Sequence, residues 1–504
     1  MATQSPSTRR LIWGVPLVFS VLLLVHGLNL GLTDDEAYYW VLAQTPSLGY
    51  AFHPPGVAWL IAGLQKVFVA LGLPPNTVAG VRLPAVLLAS ASLMLALRWL
   101  WSEGATRGRS LVSGALAVVS LVGIFGMAWM MVPDLPLILG WTLAFFASWK
   151  LVREDSDGFG MEAVLMAGVA ISVASKFSGG LVGGQAFLGA LALGASSRAR
   201  IRIFRAVAVG TILGLLPSLL WNAQNGWGAL LYQFRDRHGG GGGFNGSRYL
   251  RFWLSQLLLA GPGLVVFSAG FFRRAWSGDL EVRRLSRWTL CWALPPGLVF
   301  LVQPAFADFK PHWALIVWLP FALEGAWHVA MRSGQRWYRV QLAHAAVLFS
   351  VLVLSLHWPA VPWVAEKMGK PLSDPRWDVT NDLQGWESLG AWIASEPERV
   401  VVGSRYQTAS QAAFSLGSVN RATLLPRDRK QWEEWPDLSV SDSPGPEWPK
   451  LSRGVWFVAD NRYDQPPAFR EARCELAASH SVDRQGYPAK RFQLWRCDPV
   501  GSSL

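Results

Sequence analysis

Eleven apolar runs govern what this chain can fold into. They fall at about 11–30, 81–100, 111–131, 134–152, 161–176, 178–195, 205–221, 249–272, 288–303, 312–330 and 341–358, the two between 161 and 195 being short. A run of roughly 20 apolar residues matches the hydrocarbon thickness of a bilayer, where a lone segment satisfies its own backbone only as a helix. The runs therefore predict a polytopic α-helical membrane protein of about 11 transmembrane helices. With 52% hydrophobic residues, 15% charged residues and a mean hydropathy of +0.27, the chain is too apolar for a soluble protein.

The connections between the runs carry the orientation signal. A formal charge of +12 would suit nucleic acid, yet the basic residues cluster between apolar runs, so no nucleic-acid partner is expected. With the N-terminus inside, the inner connections hold nineteen Lys and Arg residues, against six outside (Lys66, Lys176, Arg235, Arg237, Arg248 and Lys310). That bias predicts an outer location for the polar C-terminal third. Arg9 and Arg10 before the first run resemble a signal peptide, but no small-residue cleavage site follows, so a retained anchor is expected.

Two outer loops interrupt the pattern. The first, 31–80, contains the apolar stretch GVAWLIAGLQKVFVAL with one central Gln-Lys pair, which reads as an amphipathic helix lying along the interface. The second, 222–248, carries five consecutive glycines beside Arg235, Arg237 and His238. Such a tract holds no fixed conformation by itself, and a plain linker and a periplasmic flap over a substrate cavity both fit it.

From about 360 the composition turns polar and Pro-rich. Short β-type runs at 400–403, 454–458 and 492–495, with a helical stretch near 408–414, predict a small α/β domain over 360–504, distinct from a transmembrane domain over 1–359. Of the three cysteines, Cys291 lies in an apolar run, while Cys474 and Cys497 are expected to pair if that domain meets an oxidising compartment.

The chemistry concentrates in TDDEAYYWVLAQTPSLGYAFHPPG, where Asp34, Asp35 and Glu36 end the first apolar run and a His-Pro-Pro-Gly turn follows. Acids at that level would meet the polar head of an amphiphilic substrate. They serve equally well as caps of the next helix, with Tyr38, Tyr39 and Trp40 as an interfacial aromatic belt. Further polar residues predicted on the same outer side are His53, Asp134 in MVPDLP, Lys176, and Lys310 with His312 in FADFKPHW. Carboxylates near cations suit a site that deprotonates a hydroxyl while holding a phosphate. Each position also has a structural reading: Asp134 as an N-cap, Lys176 snorkelling, His312 hydrogen-bonded in the core, His53 bracing the turn. No phosphate-binding GxxxxGK[ST], HExxH or CxxC motif is present.

DDEAYYW, FHPPGVAWL, VPDLPL, ASKFSG, WNAQNGW and FKPHWAL, in this order, resemble the membrane glycosyltransferases of the GT-C fold. The resemblance is to the bacterial family 39/83 type, related to the protein O-mannosyltransferases and the lipid A aminoarabinose transferase. It covers roughly residues 10–330, with a weaker echo in SRYQTASQAAF. It implies Asp35 as catalytic base and Asp134 as the acid of the second outer turn. Where the aminoarabinose branch has Glu-Lys before its Pro-Pro, this chain has Phe52 and His53.

The function so implied is an inverting transfer of a sugar from a polyprenyl-phosphate donor to a hydroxyl acceptor (lipid A, another glycan or a protein) at the periplasmic face of a bacterial inner membrane. Positive charge must then meet the departing phosphate, which assigns Lys176, Lys310, His53 and His312 to the donor. Glu36, Tyr38, Tyr39, Arg235 and His238 are candidates for substrate contact. The chemistry requires no metal, although a divalent cation is compatible with it. A transporter or flippase of polyprenyl-linked sugars is the alternative, disfavoured by the large outer domain and the one-sided polar residues.

Overall fold

The computed structural model describes residues 6–499 except 155–158, 232, 234–242, 308, 333–334, 373, 395–399, 404, 420–421, 425–453 and 463–471. Each of the eleven apolar runs falls on helix, but the expected count of 11 spans is not reproduced. Among the described residues seven helices are long and apolar enough to cross a membrane, or eight if one bent pair is a single span. The shortfall has local causes. Run 111–131 is divided into Gly108–Val119 and Val122–Phe125 by a break at Ser120 and Leu121, and runs 161–176 and 178–195 form the short helices Gly160–Ser175 and Leu181–Ala192.

The bent pair, Gly246–Leu259 and Pro262–Ser277, turns by 105°. Gly261 there has a positive φ of 92°, and Pro262 brings no N–H to continue the ladder. Gln341, on the span Arg336–His357, repairs both breaks. Its Nε2 donates to Ala260 O at 2.8 Å and to Ser120 O at 3.0 Å, and its Oε1 accepts from Leu264 N at 2.8 Å. Backbone groups freed in an apolar bundle need such partners.

Beyond the last span, five strands form one sheet in the order β2-β1-β3-β5-β4: β1 Val401–Gly403, β2 Ala422–Leu424, β3 Val455–Asp460, β4 Ala472–Arg484 and β5 Tyr487–Pro499. β2, β1 and β3 are parallel, while β3, β5 and β4 are antiparallel. The expected helix is Tyr406–Ser415. The paired strands β4 and β5 carry the disulfide between Cys474 and Cys497, with their Cα atoms 4.1 Å apart.

Candidate active site

Thr33 starts the helix Asp34–Gln44 with a capping box: its hydroxyl accepts from Glu36 N at 3.2 Å, and the Glu36 carboxylate accepts from Thr33 N at 2.9 Å. The same carboxylate accepts from Met131 N at 3.0 Å and from Arg82 at 2.9 and 2.6 Å. Arg82 also donates to the carbonyls of Gly27, Leu30 and Gly31 and lies 4.4 Å from the Trp129 ring centroid. Glu36 is 0% and Arg82 1% exposed. The expectation that Glu36 meets substrate is therefore corrected: its oxygens are spent inside the protein, and its work is to fix the helix against the first two spans.

Tyr38 and Tyr39 are likewise buried, together with Trp40, so these rings form no interfacial belt and are not presented to a substrate. Tyr38 packs against Tyr406 with centroids 5.4 Å apart, Tyr39 against His53 at 5.3 Å, and Trp40 against Phe414 at 5.2 Å. The helix is buried from Glu36 to Ala43, with Tyr406, Gln411 and Phe414 of the C-terminal domain packed over it.

That cover reaches the acids themselves. Gln411 donates to Leu32 O at 2.9 Å and to Asp34 at 3.2 Å. Arg462, just after β3, bridges Asp34 at 2.6 Å, Asp382 at 3.0 Å and Asp460 at 3.0 Å. Beside them Lys490 lies 3.9 Å from the Trp386 ring centroid, and burial pushes its ammonium down to about 8. Gly31 permits this approach, since a Cβ there would sit 2.3 Å from Leu383 O.

Among the described residues, Asp35 is the one acid of the three left with a single long hydrogen bond, accepting from the Tyr406 hydroxyl at 3.4 Å. Burial pushes its carboxyl above the usual carboxylate range; the Lys310 ammonium acts against that shift and Asp34 adds to it. Lys310 itself is exposed.

A second cluster forms on Asp134, the first residue of the span Asp134–Glu154. Lys176 Nζ pairs with Asp134 Oδ1 at 2.9 Å and lies 5.8 Å from the Trp313 ring centroid. His312 and His53 stand close enough to act on the same carboxylate. His53 reaches it because the His-Pro-Pro-Gly turn seats tightly: a Cβ on Gly56 would lie 2.6 Å from Ala174 O, two residues before Lys176. Through Tyr39, His53 also touches the acidic helix, so the six polar residues singled out in the sequence form two adjoining groups. Arg235 and His238, with Gly239 to Gly242 of the glycine tract, lie outside the described residues. Among the described residues no three His, Cys, Asp or Glu side chains converge to hold a metal ion.

Arg82, Tyr406, Gln411 and Arg462 were not singled out in the sequence. Arg82 lies at the start of an apolar run, the weak likeness in SRYQTASQAAF includes Tyr406 and Gln411, and Arg462 leaves no trace in any motif. Nothing in the spacing between Asp34 and Arg462, 428 residues apart, announces their contact.

Comparison with known proteins bears on the arrangement as a whole. Residues 52–221 match the family model described as dolichyl-phosphate-mannose-protein mannosyltransferase. A lipid A galacturonosyltransferase, RgtD of Rhizobium johnstonii, is 25% identical over 360 residues, 66% of this chain and 69% of that protein. The crystal structure of ArnT from Cupriavidus metallidurans in the apo state superposes with a TM-score of 0.61 at 14% identity, over 96% of this chain and 97% of that one. The same enzyme bound to undecaprenyl phosphate gives a TM-score of 0.61 at 14% identity over 97% and 98%. The fold is thus shared over nearly the whole length, C-terminal sheet included, and the transferase reading stands over the transporter. The chain is a membrane glycosyltransferase of the GT-C fold, similar to ArnT over nearly its whole length and to the protein mannosyltransferases over residues 52–221.

Proposed function

We propose that the protein transfers one sugar, with inversion, from a polyprenyl-phosphate donor to a hydroxyl acceptor at the periplasmic face of a bacterial inner membrane. The observation that carries this reading is Asp35: a carboxylate with spare acceptor capacity, raised by burial, set between Tyr406 and Lys310 on the side of the bundle that holds Asp134 and Lys176. Asp35 removes the acceptor's proton as its oxygen attacks the anomeric carbon, and the sugar–phosphate bond breaks with the electron pair leaving on the phosphate. Lys310 and Lys176, with His53 and His312, offset the charge on that phosphate. Asp134 holds Lys176 in place and orients the acceptor.

The donor class is supported by undecaprenyl phosphate, the ligand of the structural relative. Lipid A is the acceptor class favoured here, because it is named for the galacturonosyltransferase relative; glycan and protein hydroxyls share the chemistry. The periplasmic side rests on the nineteen-to-six charge bias. On this reading residues 1–359 form the membrane domain and 360–504 the periplasmic one. The test is transfer by purified protein in nanodiscs, offered a panel of undecaprenyl-phosphate sugars and lipid A. A new glycosidic bond detected by mass spectrometry supports the proposal. No transfer from any such donor, with lipid-linked sugar moved across the bilayer instead, would return the transporter reading.

A further inference from the structure

The last span, Arg336–His357, is followed after two residues by the helix Ala360–Lys367. Covalent continuity alone keeps this short helix at the membrane surface. It nevertheless exposes Val361, Trp363 and Val364, and Met368 just past its end is 70% exposed. Trp363 packs on Trp358 at the span's end, with ring centroids 5.2 Å apart.

A second segment is pinned to the same level by a different contact. Arg484, at the end of β4 and mostly buried, donates to Ser355 O at 2.6 Å and to Thr380 Oγ1 at 2.8 Å. Ser355 lies two residues before the span ends, so the two bonds from one guanidinium hold Thr380 near the end of the span. The neighbours of Thr380 along the chain include Trp377, 73% exposed, and Val379, 76% exposed. Tyr487 at the start of β5 bonds to Glu366, tying the strand pair to the short helix. Two chain segments joined by Arg484 and Tyr487 therefore carry exposed apolar side chains at one height, accompanied by Lys367, Lys370 and Arg376.

We infer that this face, built from Trp363, Val364, Met368, Trp377 and Val379, docks the C-terminal domain onto the lipid headgroup region beside the last span, apolar side chains inserted and the lysines toward anionic headgroups. Aromatic and aliphatic residues among cations are the chemistry of an interfacial anchor. The bilayer is chosen over a protein partner because the span's end and the Arg484 bond put the face at that level without any further binding event. The docking goes beyond the transfer reaction and does not depend on it. It holds the sheet domain at a fixed height, and with it Tyr406 and Arg462 over the acidic helix.

The test uses full-length protein with Cys291→Ser, carrying Trp377→Cys or Val379→Cys labelled with an environment-sensitive fluorophore, in nanodiscs of phosphatidylethanolamine and phosphatidylglycerol. Ala477→Cys, exposed on β4 seven residues from Arg484, is the control roughly 20 Å away along the strand. The probes at 377 and 379 should emit to the blue of the probe at 477, and lipids spin-labelled near the headgroup should quench them at least about twofold more strongly. Water-like, unquenched emission at both positions would overturn the inference. Blue-shifted emission that ignores the lipid quencher and follows protein concentration would also overturn it, in favour of a second copy as the occupant.

Discussion

Two neighbouring carboxylates, Glu36 and Asp35, begin the same helix and have opposite fates. Glu36 takes Arg82, two backbone N–H groups and complete burial. Asp35, one residue earlier, keeps one long contact with Tyr406 and the more distant field of Lys310. A saturated, sealed carboxylate has no lone pair to offer a substrate. A carboxylate whose burial is only loosely compensated can accept a proton, so the difference in partners separates scaffold from proposed catalyst.

The largest effect should come from breaking the scaffold half. Arg82→Leu leaves Glu36 charged and buried without its partner, which should cost about 3–5 kcal/mol of stability. Thermal denaturation in detergent checks it; a wild-type melting temperature would mean that the pair is dispensable. Glu36→Gln should act in the same direction, lowering yield more than the turnover of the folded fraction.

Asp35→Asn inverts that pattern. It keeps the shape and removes the proton acceptor, so turnover should fall at least about a hundredfold, about 2.7 kcal/mol, with little change in melting or in donor affinity. Near-normal transfer by this variant would end the assignment of Asp35 as base.

Arg462→Ala sharpens the contrast from the other side. It releases Asp34 and should lower kcat/KM by about tenfold, with Arg462→Lys recovering part of the loss because a lysine keeps the charge but not the three-way fork. Equal activity of Arg462→Ala and wild type would show that the C-terminal domain does not position the acidic helix.

The smallest expected effect is a shift in pH dependence. The base must be deprotonated to work, burial raises the Asp35 carboxyl, and Lys310 acts to lower it. Removing that cation in Lys310→Met should therefore move the acid limb of the kcat profile to higher pH. A limb that stays in place or moves down would separate Lys310 from Asp35.

Sequence alone determined the membrane class, because apolar runs near bilayer length leave few alternatives to helix. It also identified Asp35, Asp134, Lys176, Lys310, His53 and His312 as a set, since charged groups beside hydrocarbon are costly and stand out. Strands β1, β3 and β5 were legible as apolar β-type runs, and the helix Tyr406–Ser415 from its pattern. Strand β4, ARCELAASHSVDR, was not, for it is an edge strand whose alternation of half-buried and exposed positions is carried mostly by small and polar side chains. The count of eleven spans was not reproduced, partly because helix breaks at Ser120 and Gly261 are satisfied by Gln341, a partner remote in sequence, and partly because two runs form the short helices Gly160–Ser175 and Leu181–Ala192. Which acid is scaffold and which is free was likewise decided by tertiary structure. Asp34, Asp35 and Glu36 are chemically alike and adjacent, and only packing brings Arg82 to one, Arg462 to another and leaves the third to Tyr406 and Lys310, because long-range contacts between buried charges leave no local pattern in the chain.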